Sequence, residues 1–189
     1  MTNFSIIYLF KRRAKKLAKA QQFPLSKSLN LLSQEAGFQH WHEAQAVAKK
    51  TPQDPRLVAI AFGTNDLSET VFDSSVYAAL EELLEEEMSG AIAETNAEAF
   101  GIDDMQVNKT DYDESTGILA LSADIQYAGE QIPDKVYSGT SFHLEVIIRL
   151  FWDQTRWVLA EYDALEMISG ISDQELDWQQ QAADGTLYS

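Results

Sequence analysis

LALSADIQY (residues 119–127) and FHLEVIIRLFW (residues 142–152) decide the fold. In the first, Leu119, Leu121, Ala123, Ile125 and Tyr127 occupy every second position. In the second, Phe142, Leu144, Val146, Ile148, Leu150 and Trp152 do the same. A period of two puts each set on one face of a strand, so both segments read as strands with a single buried side. Upstream, residues 105–112 read as another strand, joined to the first by the turn DESTG (113–117), whose Asp, Ser and Gly are turn formers. Downstream, the polar break 153–156 is followed by Trp157–Tyr162, which resumes as a strand. The pattern is four antiparallel strands. Ile147 and Phe151 fall on the opposite face of the long strand and need a cover, from residues 57–62, the terminal helix or a partner.

Before the sheet, residues 75–99 predict a helix with Val76, Leu80, Leu83, Ala91 and Ile92 on one side and Gly90 as a bend point. After it, Ser172-x-x-Glu175 is a capping box that opens a short helix holding Leu176 and Trp178. A helix on one face of an antiparallel sheet buries the apolar faces of both, which defines an α+β domain. Tyr127, Phe142, Trp152, Trp157 and Tyr162 can line a cavity in such a domain, although strand aromatics are ordinarily core.

The first fifty residues have a different period. Residues 3–21 fit one helix, with Phe4, Ile7, Phe10, Ala14, Leu17 and Ala18 on its apolar side. Phe23-Pro24 ends it. A second helix over 25–36 carries Leu25, Leu29, Leu32 and Ala36 and stops at Gly37. A third over 39–50 carries Trp41, Ala44 and Val47, with Trp41 expected as the anchor of the small core. The division is therefore a three-helix unit at 1–50, a linker with a short strand at 51–74, and an α+β domain at 75–189. TPQDP (51–55) marks the linker, and the apolar run Leu57–Phe62 marks the strand.

Charge divides the chain in the same way. Residues 1–50 hold nine of the 14 Lys and Arg and only Glu35 and Glu43 as acids, about +7, while the remaining residues carry about −23. With no cysteine, disulfides, thiolate metal sites and a Cys nucleophile are excluded, and a reducing cytoplasm is the compatible compartment. No apolar run is long enough to span a bilayer, so no membrane association is expected. No nucleophile elbow, glycine-rich phosphate loop or HExxH motif is present, so the chain is expected not to be an enzyme and to need no cofactor. His40 and His42 stand at i, i+2, on opposite sides of a helix, and no metal is expected there.

Two sets of residues can bind partners. LLSQEAGF (31–38) followed by a helix fits the centre of a helix-turn-helix. On that reading Lys11, Arg12, Arg13, Lys15, Lys16 and Lys19 meet nucleic-acid phosphates, and Gln39 and His40 open the recognition helix. The bland alternative is a helical hairpin with a solvated basic face. The second set is Glu81, Glu82, Glu85, Glu86 and Glu87, an acidic helix face suited to a protein partner or a second copy. Repulsion within it, and the lack of turn carbonyls, argue against a cation site.

The pattern Arg13-Ala14-Lys15-x-Leu17, then Ser26-x-Ser28-Leu29-x-x-Leu32-x-x-x-Ala36-Gly37-Phe38-x-x-Trp41, resembles a short helical module at the start of assorted, mostly uncharacterised bacterial proteins. It departs from that module at Ser28, where alanine is frequent. The resemblance implies a helical fold for residues 11–41 and transfers no catalytic residue. The expected function is that of a bacterial-type cytoplasmic binding protein, its basic module on nucleic acid and its acidic module on a protein. The alternatives are an inhibitor of a basic enzyme, of antitoxin, immunity-protein or DNA-mimic type, and a small-ligand-binding α+β domain.

Overall fold

The computed structural model describes residues 2–183, and its fold is α+β: N-terminal helices followed by an antiparallel sheet. The described residues form two compact units. The first holds residues up to Phe72 with Tyr112–Leu119 and Phe151–Trp157; the second holds Asp73–Asp111, Ala120–Leu150 and the chain from Val158 onward.

In the first unit, α1 (Ile6–Gln21) packs against α2 (Leu25–Glu35), α3 (Trp41–Lys50) and α4 (Pro55–Phe62). Its buried stripe is Ile6, Leu9, Phe10 and Ala14, the i, i+3, i+4, i+8 spacing of one helical face. The helix starts later than expected, at residue 6. Its first free N–H, that of Ile6, is accepted by Glu114 Oε1 at 3.2 Å, and Thr2 Oγ1 donates to the Glu114 carbonyl. A carboxylate there complements the positive end of the helix. Phe4 is consequently outside the helix, with its ring 5.6 Å from that of Phe151, which supplies the cover Phe151 needed.

The turn between α2 and α3 is a Schellman cap. Gly37 sits at φ +84°, its N–H donates to the Gln34 carbonyl, and the Phe38 N–H donates to the Ser33 carbonyl. Phe38 is buried beneath the Arg56 guanidinium, 4.1 Å away. Two expectations are corrected here. Trp41 is only half-buried, with its ring 5.2 Å from Phe10, so Phe10 and Phe38 anchor the core instead. The buried face of α2 is Ser28, Leu32 and Ser33, whereas Leu25 is exposed; a small residue at position 28 lets the helices approach.

The expected strand at 57–62 is helix α4. Asp54 caps it by accepting the Arg56 N–H at 3.0 Å, Pro55 fills the first turn, and Gly63 ends it at φ +87°. A short apolar run does not distinguish strand from buried helix, but these caps do. Residues 51–74, expected as a linker, thus hold α4 and a 3-10 helix, Leu67–Phe72. Phe62 meets Tyr112, Trp152 and Trp157 with ring centres 5.0 to 5.1 Å away, forming a second small core within the same unit.

Helix α5 (Ser74–Ala93), in the second unit, precedes a sheet of order β1-β2-β3-β4, made of β1 (Ala97–Asp113), β2 (Ile118–Gln131), β3 (Ser141–Trp152) and β4 (Trp157–Leu159), of which residues 112–113, 118–119, 151–152 and 157 belong to the first unit. An unexpected fifth strand, β5 (Leu165–Ser172), pairs antiparallel with β3 through a register shift at Glu145/Val146. Its exposed, glycine-bearing sequence has no alternating signal of its own. Leu119, Leu121, Ala123, Ile125, Tyr127, Phe142, Leu144, Val146, Ile148 and Leu150 are all buried, as their alternation requires. The buried stripe of α5 is Val76, Leu80, Leu84 and Met88, not the expected line through Leu83 and Ala91. That helix ends at Ala93, and Asn96, just before β1, is held by the connection after β2, its carbonyl accepting from Ile132 N at 2.8 Å and its side chain donating to the Val136 carbonyl at 2.7 Å. The capping box at α6 (Asp173–Ala183) is present: Glu175 N donates to Ser172 Oγ and Ser172 N to Glu175 Oε2, both at 3.2 Å.

Two stability results follow from these contacts. Gly117 lies at φ +80°, and a Cβ there would collide with the Phe4 ring, while Gly63 at φ +87° has open space around it. Gly117→Ala is expected to cost about 2–4 kcal/mol and Gly63→Ala about 1–2 kcal/mol in thermal or urea unfolding, because only the first adds overpacking to backbone strain. Ser28 is fully buried and its Oγ has no hydrogen-bond partner among the described residues. Ser28→Ala is expected to raise stability by about 1 kcal/mol in the same assay, since it removes a buried unsatisfied hydroxyl.

Candidate anion-binding face and acidic groove

Because α1 must bury Ile6, Leu9, Phe10 and Ala14, its cations are forced to the flanks and the outer side. Arg13, Lys15, Lys16 and Lys19 are exposed, and Lys11 and Arg12 are half-buried. Lys11 Nζ stands 5.9 Å from the Trp41 ring. Arg13 Nη1 donates to the Ile60 carbonyl at 2.9 Å, satisfying one of the last carbonyls of α4, which lacks a partner inside its own helix. Among the described residues of this unit the ion pairs are Arg56–Asp54 and Arg156–Asp153. None involves α1. Its positive charge is therefore uncompensated within the unit, a state that favours an external anion.

Gln39 and His40 are placed at the start of α3, where the His40 ring and the Gln39 backbone N–H are occupied. His40 Nδ1 accepts the Glu43 N–H at 3.1 Å, and Glu43 Oε2 accepts the Gln39 N–H at 2.6 Å, a reciprocal cap built on imidazole instead of a hydroxyl. Asn30 Oδ1 takes the Trp41 N–H at 3.0 Å. The free amides and positive end that would attract a phosphate are thus already met by protein acceptors, one of them a carboxylate. Arg56, the other cation close to this turn, is committed to Asp54 through two contacts of 3.0 and 3.1 Å.

The acidic run on α5 separates into two groups. Glu81 is half-buried beside Gly101, and burial followed by the charges of Glu85 and Glu81 pushes the Tyr127 hydroxyl above its ordinary range. Glu82, Glu86 and Glu87 instead line a groove of about 520 Å³ with Glu161 and Asp163, over an apolar floor that includes Leu83, Leu159 and Ala160. Glu161 and Asp163 carry no signal in the sequence; the β4–β5 connection brings them to the helix.

Of the five strand aromatics weighed as a cavity lining, Tyr127, Phe142, Trp152 and Trp157 are buried and Tyr162 is 77% exposed. Tyr127 and Phe142 pack on Phe100, with ring centres 5.6 and 5.9 Å apart. Those side chains are core. A separate cavity of about 380 Å³ is lined in part by Met88, Phe142, Leu144, Met167 and Trp178.

No helix among the described residues is long and apolar enough to cross a membrane. No protein-family model, curated protein or solved structure matches this chain.

Proposed function

We propose that this is a non-enzymatic, two-unit binding protein of the bacterial cytoplasm. The cationic side of α1 grips nucleic-acid phosphates, and the α5 groove holds a basic segment of a protein partner. The single observation that carries the first part is the set of exposed cations Arg13, Lys15, Lys16 and Lys19 on one helix, none of them in an ion pair among the described residues. The occupied start of α3 refines it: contact runs through phosphates along α1, with little base reading by His40, whose ring caps α3. The lining of Glu82, Glu86, Glu87, Glu161 and Asp163 supports the second part, since clustered carboxylates over an apolar floor suit an amphipathic basic segment. The same groove favours, as a second reading, an inhibitor that captures a basic enzyme.

The test is fluorescence anisotropy of the full chain on mixed-sequence duplex DNA across a salt series. Four phosphate contacts predict a slope of log K against log salt of about −3 to −4, and Lys15→Gln with Lys19→Gln should reduce it by about 2. Binding that is absent, or unchanged by salt, would remove the nucleic-acid role. Capture of a basic enzyme that loses activity in the complex, without DNA binding, would establish the inhibitor reading instead.

A further inference from the structure

We infer that the flank of α1 facing α4 is a binding site for a small organic anion, one with a phosphate or carboxylate head and an apolar body about the size of one aromatic ring. Leu9, Arg12, Arg13 and Lys16 stand at i, i+3, i+4 and i+7, so all four project to the same side of α1. They form one wall of a pocket of about 320 Å³ whose other sides are Ala61 and Phe62 of α4 and Trp152, Gln154 and Thr155 at the β3–β4 turn. That volume is at the small end of ligand sites. Cations on one wall and apolar carbons opposite match a molecule with a charged head and a hydrophobic body.

Three further observations favour a built site over a chance dent in a basic surface. The Arg13 bond to the Ile60 carbonyl fixes its guanidinium at the rim, leaving its remaining N–H groups free among the described residues. No carboxylate lines the pocket. The adjacent one, Asp153, is consumed by its own turn: Oδ1 accepts from Thr155 Oγ1 at 2.7 Å, Thr155 N at 2.8 Å and Arg156 N at 2.9 Å. Finally, Trp152 borders the pocket at 6% exposure and adds an aromatic carbon surface to its lining.

The experiment titrates the full chain with phenyl phosphate, benzoate, inorganic phosphate and phenol, read by calorimetry and by tryptophan fluorescence. Phenyl phosphate or benzoate should bind with a dissociation constant of about 1 mM or below, and phenol and inorganic phosphate at least about tenfold more weakly. Tighter binding of phenyl phosphate assigns a phosphate head and tighter binding of benzoate a carboxylate; either supports the site. Arg12→Gln should weaken the preferred anion about tenfold, the usual loss for one charge-assisted contact, and Ala61→Phe should abolish binding by filling the pocket. If Arg12→Gln lowers the thermal midpoint, Lys16→Gln at an exposed position supplies the same test. Lys49→Gln and Lys50→Gln, cations of the same unit remote in sequence from the pocket lining, should change nothing. Equal weakening by every charge variant, or equal affinity for inorganic and phenyl phosphate, would overturn the site in favour of a diffuse cationic surface. The outcome is independent of the DNA experiment: salt-sensitive DNA binding can be absent while this pocket is occupied, and the reverse.

Discussion

Burial of one narrow stripe on α1 constrains the first unit more than any other interaction. Ile6, Leu9, Phe10 and Ala14 are the residues around which α2, α3 and α4 assemble, and together they cover less than half of the helix circumference. The rest of α1 is shared between the six cations Lys11, Arg12, Arg13, Lys15, Lys16 and Lys19 and the residues Ile7, Tyr8, Leu17, Ala18, Ala20 and Gln21. The chain could have paired those cations with acids of the same unit, as it does for Arg56 and Arg156, but it spends Asp54, Asp113 and Asp153 on helix caps and turns. Asp113 and Asp153 are held below the usual carboxylate range first by hydroxyl donors, Ser115 and Thr155 respectively, and not by a cation of α1. The unpaired positive side follows from how the core and the turns are made.

The second unit obeys a different constraint with a comparable result. Its sheet buries one face of β2 and β3 completely, and α5 supplies the apolar stripe Val76, Leu80, Leu84 and Met88. Tyr77 Oη reaches the Ile102 carbonyl at 3.4 Å, tying the first turns of the helix to β1. With that stripe used, the glutamates fall to solvent or to the groove lined by Glu161 and Asp163. Repulsion among them is tolerated because they are hydrated, and it is relieved when a cation approaches.

What the sequence disclosed depended on period. The alternation at 119–127 and 142–152 located β2, β3 and their buried faces, and Ser172-x-x-Glu175 located the start of α6. Leu57–Phe62 was misleading because six apolar residues fit a strand or a buried helix equally well; the deciding residues were Asp54, Pro55 and Gly63 at its ends. Strand β5 was illegible, since its residues are mostly exposed and its existence depends on pairing with β3. The cations of α1 were legible as candidates, but the pocket was not. Phe62, Trp152, Gln154 and Thr155 are far from α1 in sequence, and only the fold brings them beside Leu9 and Arg12.

The availability of the α1 cations is tested most directly by the thermal midpoint of a Lys15→Gln, Lys19→Gln double variant at low ionic strength, compared with the unmodified chain. Unpaired ammonium groups on one helix, surrounded by further cations, repel one another, so neutralising two of them should leave the midpoint unchanged or raise it slightly. A clear fall in the midpoint that disappears at high salt would show that Lys15 and Lys19 have carboxylate partners in the folded protein. In that case the basic face would be a structural contact, closed to an external anion.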